Sequence, residues 1–130
     1  MKIAIENNYK IQLYTTSLMI LVASSDDKII QIEMDLIEEK IKNLFNINPE
    51  ESKKIIIESQ EIIKDATDIF DIGSYINESI SYEEKKRLIK YLFKIANIDH
   101  DFNFMERHII DKIANILNIS TSDLKMLKKI

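Results

Sequence analysis

The chain has one glycine, Gly73, and one proline, Pro49, in 130 residues. That scarcity narrows the choice of fold more than any other feature. Tight hairpins need residues that tolerate a positive φ, and glycine supplies most of them. A sheet protein would need several such turns, so an all-β fold is disfavoured. Isoleucine is abundant, and its β-branching leaves propensity ambiguous between helix and strand. Periodicity decides for helix. Ile32, Leu36, Ile37, Ile41, Leu44 and Phe45 form one stripe at helical spacing. Leu88, Ile89, Leu92, Phe93 and Ala96 form a second, and Met105, Ile109, Ile113, Ile116 and Leu117 a third.

Capping signals mark where helices begin. "NPEE" offers Asn48 as N-cap, Pro49 at the first helical position and Glu51 reaching back to the cap. Ser81 with Glu84 in "SYEE" and Asn103 with Glu106 in "NFME" repeat the device, and Ser120 with Asp123 is a weaker version. The pattern predicts helices near 9–24, 31–45, 49–65, 68–79, 82–97, 104–117 and 121–129. That is an all-α bundle of about seven helices with short connections. Within 66–80, Gly73 is a candidate turn end. Residues 1–130 read as a single domain, with 1–8 as a loose N-terminal arm.

Charge and composition exclude several roles. With 18 basic against 22 acidic residues, the net charge is -4. A nucleic-acid binder needs a basic face, so no nucleic-acid partner is expected. Lys125, Lys128 and Lys129 cluster near the C-terminus, where cations stabilise the negative end of a helix. The absence of cysteine removes disulfides, thiolate zinc sites and cysteine nucleophiles. The apolar run "LMILVA" is too short to span a bilayer, and no basic segment leads into it as in a signal peptide. A cytoplasmic location follows as an expectation. The wealth of Ile, Lys and Asn suggests an AT-rich bacterial genome.

The chain also echoes itself. "LVASSDDKIIQIEMDLIEEKIKNL" lies over "KIANIDHDFNFMERHIIDKIANIL" with Ala23 on Ala96, a shift of 73. Asp26 then falls on Asp99, Ile29 on Phe102, Ile32 on Met105, Glu33 on Glu106, Ile37 on Ile110 and Leu44 on Leu117. Beyond Leu44 the first copy has one extra residue, "LFNIN" against "LNIS". Each unit is a helix, a loop opening on Asp, and a helix with Glu seven residues past that Asp. A repeated hairpin predicts a pseudo-symmetric bundle.

This pattern resembles the tellurite-resistance TerB-like family, whose hairpins twice carry a motif like A-x-x-D-G-x-I-x-x-x-E. Asp26, Ile29 and Glu33 match the first copy; Asp99, Phe102 in place of Ile, and Glu106 match the second. The family's helix-end pattern L-G-L-S-x-E-E has its counterparts in "LFNINPEE" and "LNISTSD". The resemblance runs from about Leu13 to Leu127. One departure is clear: Asp27 and His100 stand where the family has glycine after each Asp. Asp and His tolerate a left-handed backbone better than most residues, so the loop geometry can survive.

The resemblance implies a non-enzymatic, stress-response module that docks protein partners. It also implies a candidate metal set, carried over by position: Asp26, Glu33, Asp99 and Glu106. Carboxylates suit Mg²⁺, Ca²⁺ or Mn²⁺. Capping is the competing account. Glu106 can be the partner of cap Asn103, and Asp99 can satisfy free amides at a turn. Ile30 stands where a cap for the second helix would be, so Glu33 is less well explained that way. An alternative is a metal-free interaction domain, similar to the TerB-like domain of membrane co-chaperones. A homodimer stays open.

Other sites fail on spacing. Asp99, Asp101 and Asn103 imitate the start of an EF-hand, but Phe104 and Ile110 stand where its Gly and bidentate Glu must be. Three residues before His108 is Met105, not the Glu of a di-iron bundle. His108 and Asp111 could pair one turn apart, but no nucleophile accompanies them. Phosphate-loop and dinucleotide motifs need glycines that this chain lacks. The five tyrosines follow no basic stripe, which points to core packing or partial exposure.

Overall fold

A computed structural model describes residues 8–23, 31–64, 69–97 and 104–129. They form seven helices: α1 Tyr9–Ala23, α2 Gln31–Phe45, α3 Pro49–Lys64, α4 Ile69–Ser79, α5 Tyr82–Asn97, α6 Phe104–Ile116 and α7 Thr121–Lys128. No strand occurs among the described residues. The all-α reading from one glycine and three apolar stripes is correct. The helices expected near 104–117 and 121–129 each end one residue sooner. Residues 24, 65 and 68, expected to be helical, lie outside the described residues, as does the arm before Asn8.

Side-chain caps start four of the helices. Glu51 N–H donates to Asn48 Oδ1 at 2.8 Å, and Asn48 N–H reaches Glu51 Oε1 at 3.4 Å. Glu84 N–H donates to Ser81 Oγ at 3.2 Å, and Ser81 N–H to Glu84 Oε1 at 3.0 Å. Both capping boxes are as the sequence predicts. Ile11 N–H donates to Asn8 Oδ1 at 3.1 Å, so Asn8 caps α1. Ser120 caps α7 through Asp123 N–H at 3.2 Å. The expected Asn103–Glu106 box lies outside the described side chains.

Two helices end alike. Asn46 and Asn118 have φ of 57° and 59°, the left-handed region that asparagine tolerates better than most residues. Ile47 N–H then bonds Lys42 O at 3.2 Å, and Ile119 N–H bonds Ala114 O at 3.0 Å. Each is the 6→1 bond of a Schellman motif. These asparagines occupy the glycine position of L-G-L-S-x-E-E.

The core gathers around α1. Ten of its residues are buried, and it packs against α2, α3, α4, α5 and α6. α5 packs against α1, α2, α6 and α7. The halves match position by position. Thr16 and Ile89, Met19 and Leu92, Val22 and Ile95, Ala23 and Ala96, and Ile37 and Ile110 are pairwise fully buried. Even the polar pair Gln12 and Lys85 is buried at both places. The second apolar stripe, Leu88 to Ala96, is buried throughout. In the first, Ile32 is a correction: it is 47% exposed, beyond the edge of the buried face, while Ile37, Ile41, Leu44 and Phe45 are buried. In the third, Ile113 and Leu117 are buried and Ile109 and Ile116 half-buried.

α4 lies outside the duplication and bridges α1 and α6. Gly73 does not end a turn; it sits mid-helix and buried. A Cβ there would meet Ile116 Cγ2 at 2.7 Å, so glycine sets how closely α4 approaches α6. Ile116 is stiff at χ1 and cannot swing that methyl aside cheaply. Gly73→Ala is expected to cost about 1–3 kcal/mol by overpacking, less up to about 1 kcal/mol of gained helix propensity. In an Ile116→Ala background the same change should be neutral or stabilising. Urea titration of the four variants measures this coupling. An equal effect in both backgrounds would contradict the contact.

Candidate functional site

The loop-flanking acids were the site expected from sequence. Glu33 is the third residue of α2 and Glu106 the third of α6, so the duplication puts both in the first turn of equivalent helices. Glu33 is 2% exposed, among the least exposed charged side chains described. A carboxylate taken out of water needs donors or a cation around it. The positive end of a helix supplies part of that compensation. Asp26 and Asp99 lie outside the described residues, as does the side chain of Glu106. The structure therefore places one proposed ligand, Glu33, and the helical position of a second. Among the described residues, no three His, Cys, Asp or Glu side chains converge as a metal would require.

The remaining sequence candidates have structural roles. Asp111 Oδ1 lies 3.2 Å from Lys128 Nζ, which ties α6 to α7. Lys125 and Lys128 occupy the last turn of α7, where a cation opposes the helix dipole. His108 is exposed, and His100 lies outside the described residues. Tyr14 and Tyr75 meet edge to face, 5.2 Å between centroids, with Lys10 Nζ 4.5 Å from the Tyr75 ring. That is aromatic packing rather than a ligand platform.

Sequence reasoning missed a pair of tyrosine clamps. Tyr9 opens α1 and Tyr82 opens α5, at the same shift of 73 that relates Ala23 to Ala96. Tyr9 donates its hydroxyl to Glu58 of α3. Tyr82 donates to Asp123 Oδ2 at 2.6 Å and accepts from Ser120 N–H at 3.0 Å, so it grips the start of α7. Asp123 was expected to reach back to its cap; its carboxylate binds the Tyr82 hydroxyl as well as Ser120, and the Ser120 backbone N–H goes to Tyr82. Lys85, inside the bundle, donates to Asn77 Oδ1 of α4 at 2.6 Å. The repeated Tyr at each helix start was the available signal, but it needed the echo extended back beyond Leu21. Beside the Tyr82 clamp, α5 and α7 border a groove with Lys86, Arg87 and Lys90 on one wall and Met126 and Leu127 on the other.

The matched halves and repeated helix ends agree with a comparison against known families. Residues 12–129 match the family described as Tellurite resistance protein TerB. The chain belongs to the TerB family. The match spans both hairpins and the bridging α4, so the TerB resemblance expected from Asp26, Glu33, Asp99 and Glu106 is correct at the family level. No curated protein and no solved structure gives a significant match. Among the described residues of this TerB-family chain, no helix is long and apolar enough to cross a membrane.

The two clamps titrate in opposite directions. Tyr82, and then Ser120, hold Asp123 below its ordinary pKa of 3.8. A depressed carboxylate contributes stability above its unfolded pKa and loses it as pH falls through the folded value. The stability gap between wild type and Tyr82→Phe should therefore narrow below about pH 4. For Tyr9, desolvation and then Glu58 push the pKa up to about 12. That contribution is complete below the unfolded value near 10 and is lost as pH rises towards about 12. Tyr9→Phe should lose less stability than wild type over that window. Urea midpoints across both pH ranges check the two signs, and reversed trends would contradict the clamps.

Proposed function

We propose that this protein is a non-enzymatic TerB module of a bacterial stress response, acting in the cytoplasm. On this reading it binds a divalent cation through Asp26, Glu33, Asp99 and Glu106 and docks protein partners. The observation that supports it best is the burial of Glu33 at 2% exposure, seven residues after Asp26 in the sequence. The duplication gives Glu106 and Asp99 the same relation. Oxygen donors of this kind suit Mg²⁺, Ca²⁺ or Mn²⁺, and a cation would offset the cost of withdrawing carboxylates from water. Family membership agrees with this reading.

A second reading is a metal-free interaction domain. It draws on the same residue, because the first turn of α2 offers Glu33 free amides and the positive helix end. Thermal melts and titration calorimetry of chelator-treated protein separate the two. Under the cation reading, millimolar Mg²⁺, Ca²⁺ or Mn²⁺ raises Tm by at least about 3 °C. The rise disappears in Glu33→Gln with Glu106→Gln and persists in the control Glu50→Gln. No shift and no heat with any of the three ions would reject the cation and leave the metal-free reading.

A further inference from the structure

α4 lies outside the duplication, and with α6 it walls a groove of about 420 Å³. The close approach at Gly73 seats Ile116 as its floor. Asn77 and Asn118 meet at one end, Asn118 Nδ2 donating to Asn77 Oδ1 at 3.4 Å. Phe70 and Lys112, each about one turn before the Gly73–Ile116 contact, line the other end. Ser74 and Asn115 lie between the two ends. No acid is among the described lining residues. The carboxamide of Asn77 is turned by its partners. Its Oδ1 accepts from the buried Lys85 Nζ at 2.6 Å as well as from Asn118. An ammonium can only donate, so the oxygen must face it, and the Asn77 NH₂ stays uncommitted. The side chains of Ser74 and Asn115 make no hydrogen bond among the described residues, and Lys112 makes no ion pair among them.

We propose that the groove between α4 and α6 binds an extended peptide segment of a partner protein, with a carboxylate beside an apolar residue at the Phe70–Lys112 end. The donor set decides the backbone form. A carboxamide offers both donor and acceptor, which matches the bare N–H and C=O of an extended chain. A docked helix has bonded those groups internally and would leave the carboxamides unused. Length agrees. Phe70 and Asn77 are seven residues apart, about 10 Å of helix, which is the span of about three residues of extended chain. The other end decides the side chains. Phe70, 58% exposed, gives an apolar landing, and Lys112 on the facing wall calls for a carboxylate. The inference rests on the partner-docking half of the proposed function and not on the cation.

The probe is a pool of capped pentapeptides with Leu-Glu at the centre and Ser, Thr or Ala elsewhere. Two matched pools accompany it, one with Lys for Glu and one with the central backbone amides N-methylated. Amide shifts of labelled full-length protein report binding and locate it, with chelator present throughout so that no cation contributes. The Glu pool should shift the α4 and α6 residues that line the groove and exceed the Lys pool by about threefold or more. N-methylation should weaken binding about two- to tenfold, because it removes backbone donors. Lys112→Glu should reverse the charge preference, and Asn115→Ala should weaken the Glu pool several-fold. Both residues are exposed, and circular dichroism confirms that the variants fold. No shifts at millimolar peptide, or equal binding of the N-methylated pool, would overturn the proposal. Shifts confined to other helices would overturn it while leaving partner docking intact. A stable dimer of this chain that covers Phe70 would also overturn it.

Discussion

Burial of α1 is the constraint on which the other helices depend. A helix apolar on most sides must be enclosed, and α1 is enclosed by five others. Its polar residues are handled within the helix. Thr16 Oγ1 donates to Gln12 O at 2.8 Å and Ser17 Oγ to Leu13 O at 2.9 Å, each four residues back. Ser59 of α3 adds a second donor to Leu13 O. Thr15 Oγ1 is the exception, buried with no acceptor among the described residues. An unsatisfied buried hydroxyl costs about 1–3 kcal/mol. Its counterpart Leu88 occupies the same place on α5 with no polar atom to satisfy.

Around that hub, duplication was modified rather than copied. Helix ends stayed close to one design, with Asn at the left-handed position, Ile after it and a capping residue next. The helices beyond those ends diverged. α3 runs on to cover α1 through Glu58 and Ser59, whereas α7 is anchored by Tyr82, Ser120 and Asp123 at its start and by Lys128 to Asp111 near its end. α4 joins the hairpins asymmetrically, through Gly73 against Ile116 and Asn77 on Lys85.

Much of this was legible in the sequence because helix starts and apolar spacing are local. Asn48, Pro49 and Glu51, or Ser81 and Glu84, need only their own backbone to act. What escaped depends on distant partners. Gly73 resembles punctuation until Ile116 is brought against it. Ile32 continues the apolar period of α2, yet it stays exposed beyond the edge of the buried face. Asp123 looks like a capping acid until Tyr82 arrives from 41 residues away. At the candidate site, the sequence indicated the position of Glu33, but its depth is set by the helices packed over α2. The EF-hand imitation in Asp99, Asp101 and Asn103 was removed by counting alone, since Phe104 and Ile110 have the wrong chemistry.

The proposal with most at stake is that the acids repeated across the two hairpins, the buried Glu33 among them, bind a cation. Paramagnetic broadening by Mn²⁺ tests it most directly, because broadening falls off steeply with distance and needs no assumption about affinity. Substoichiometric Mn²⁺ is added to labelled, chelator-treated protein and amide line widths are followed residue by residue. The account predicts selective broadening around Asp26 and Glu33 and around Asp99 and Glu106, removed by Glu33→Gln with Glu106→Gln. Uniform weak broadening, or loss of signal centred on other surface acids such as Glu50 and Glu51, would contradict it.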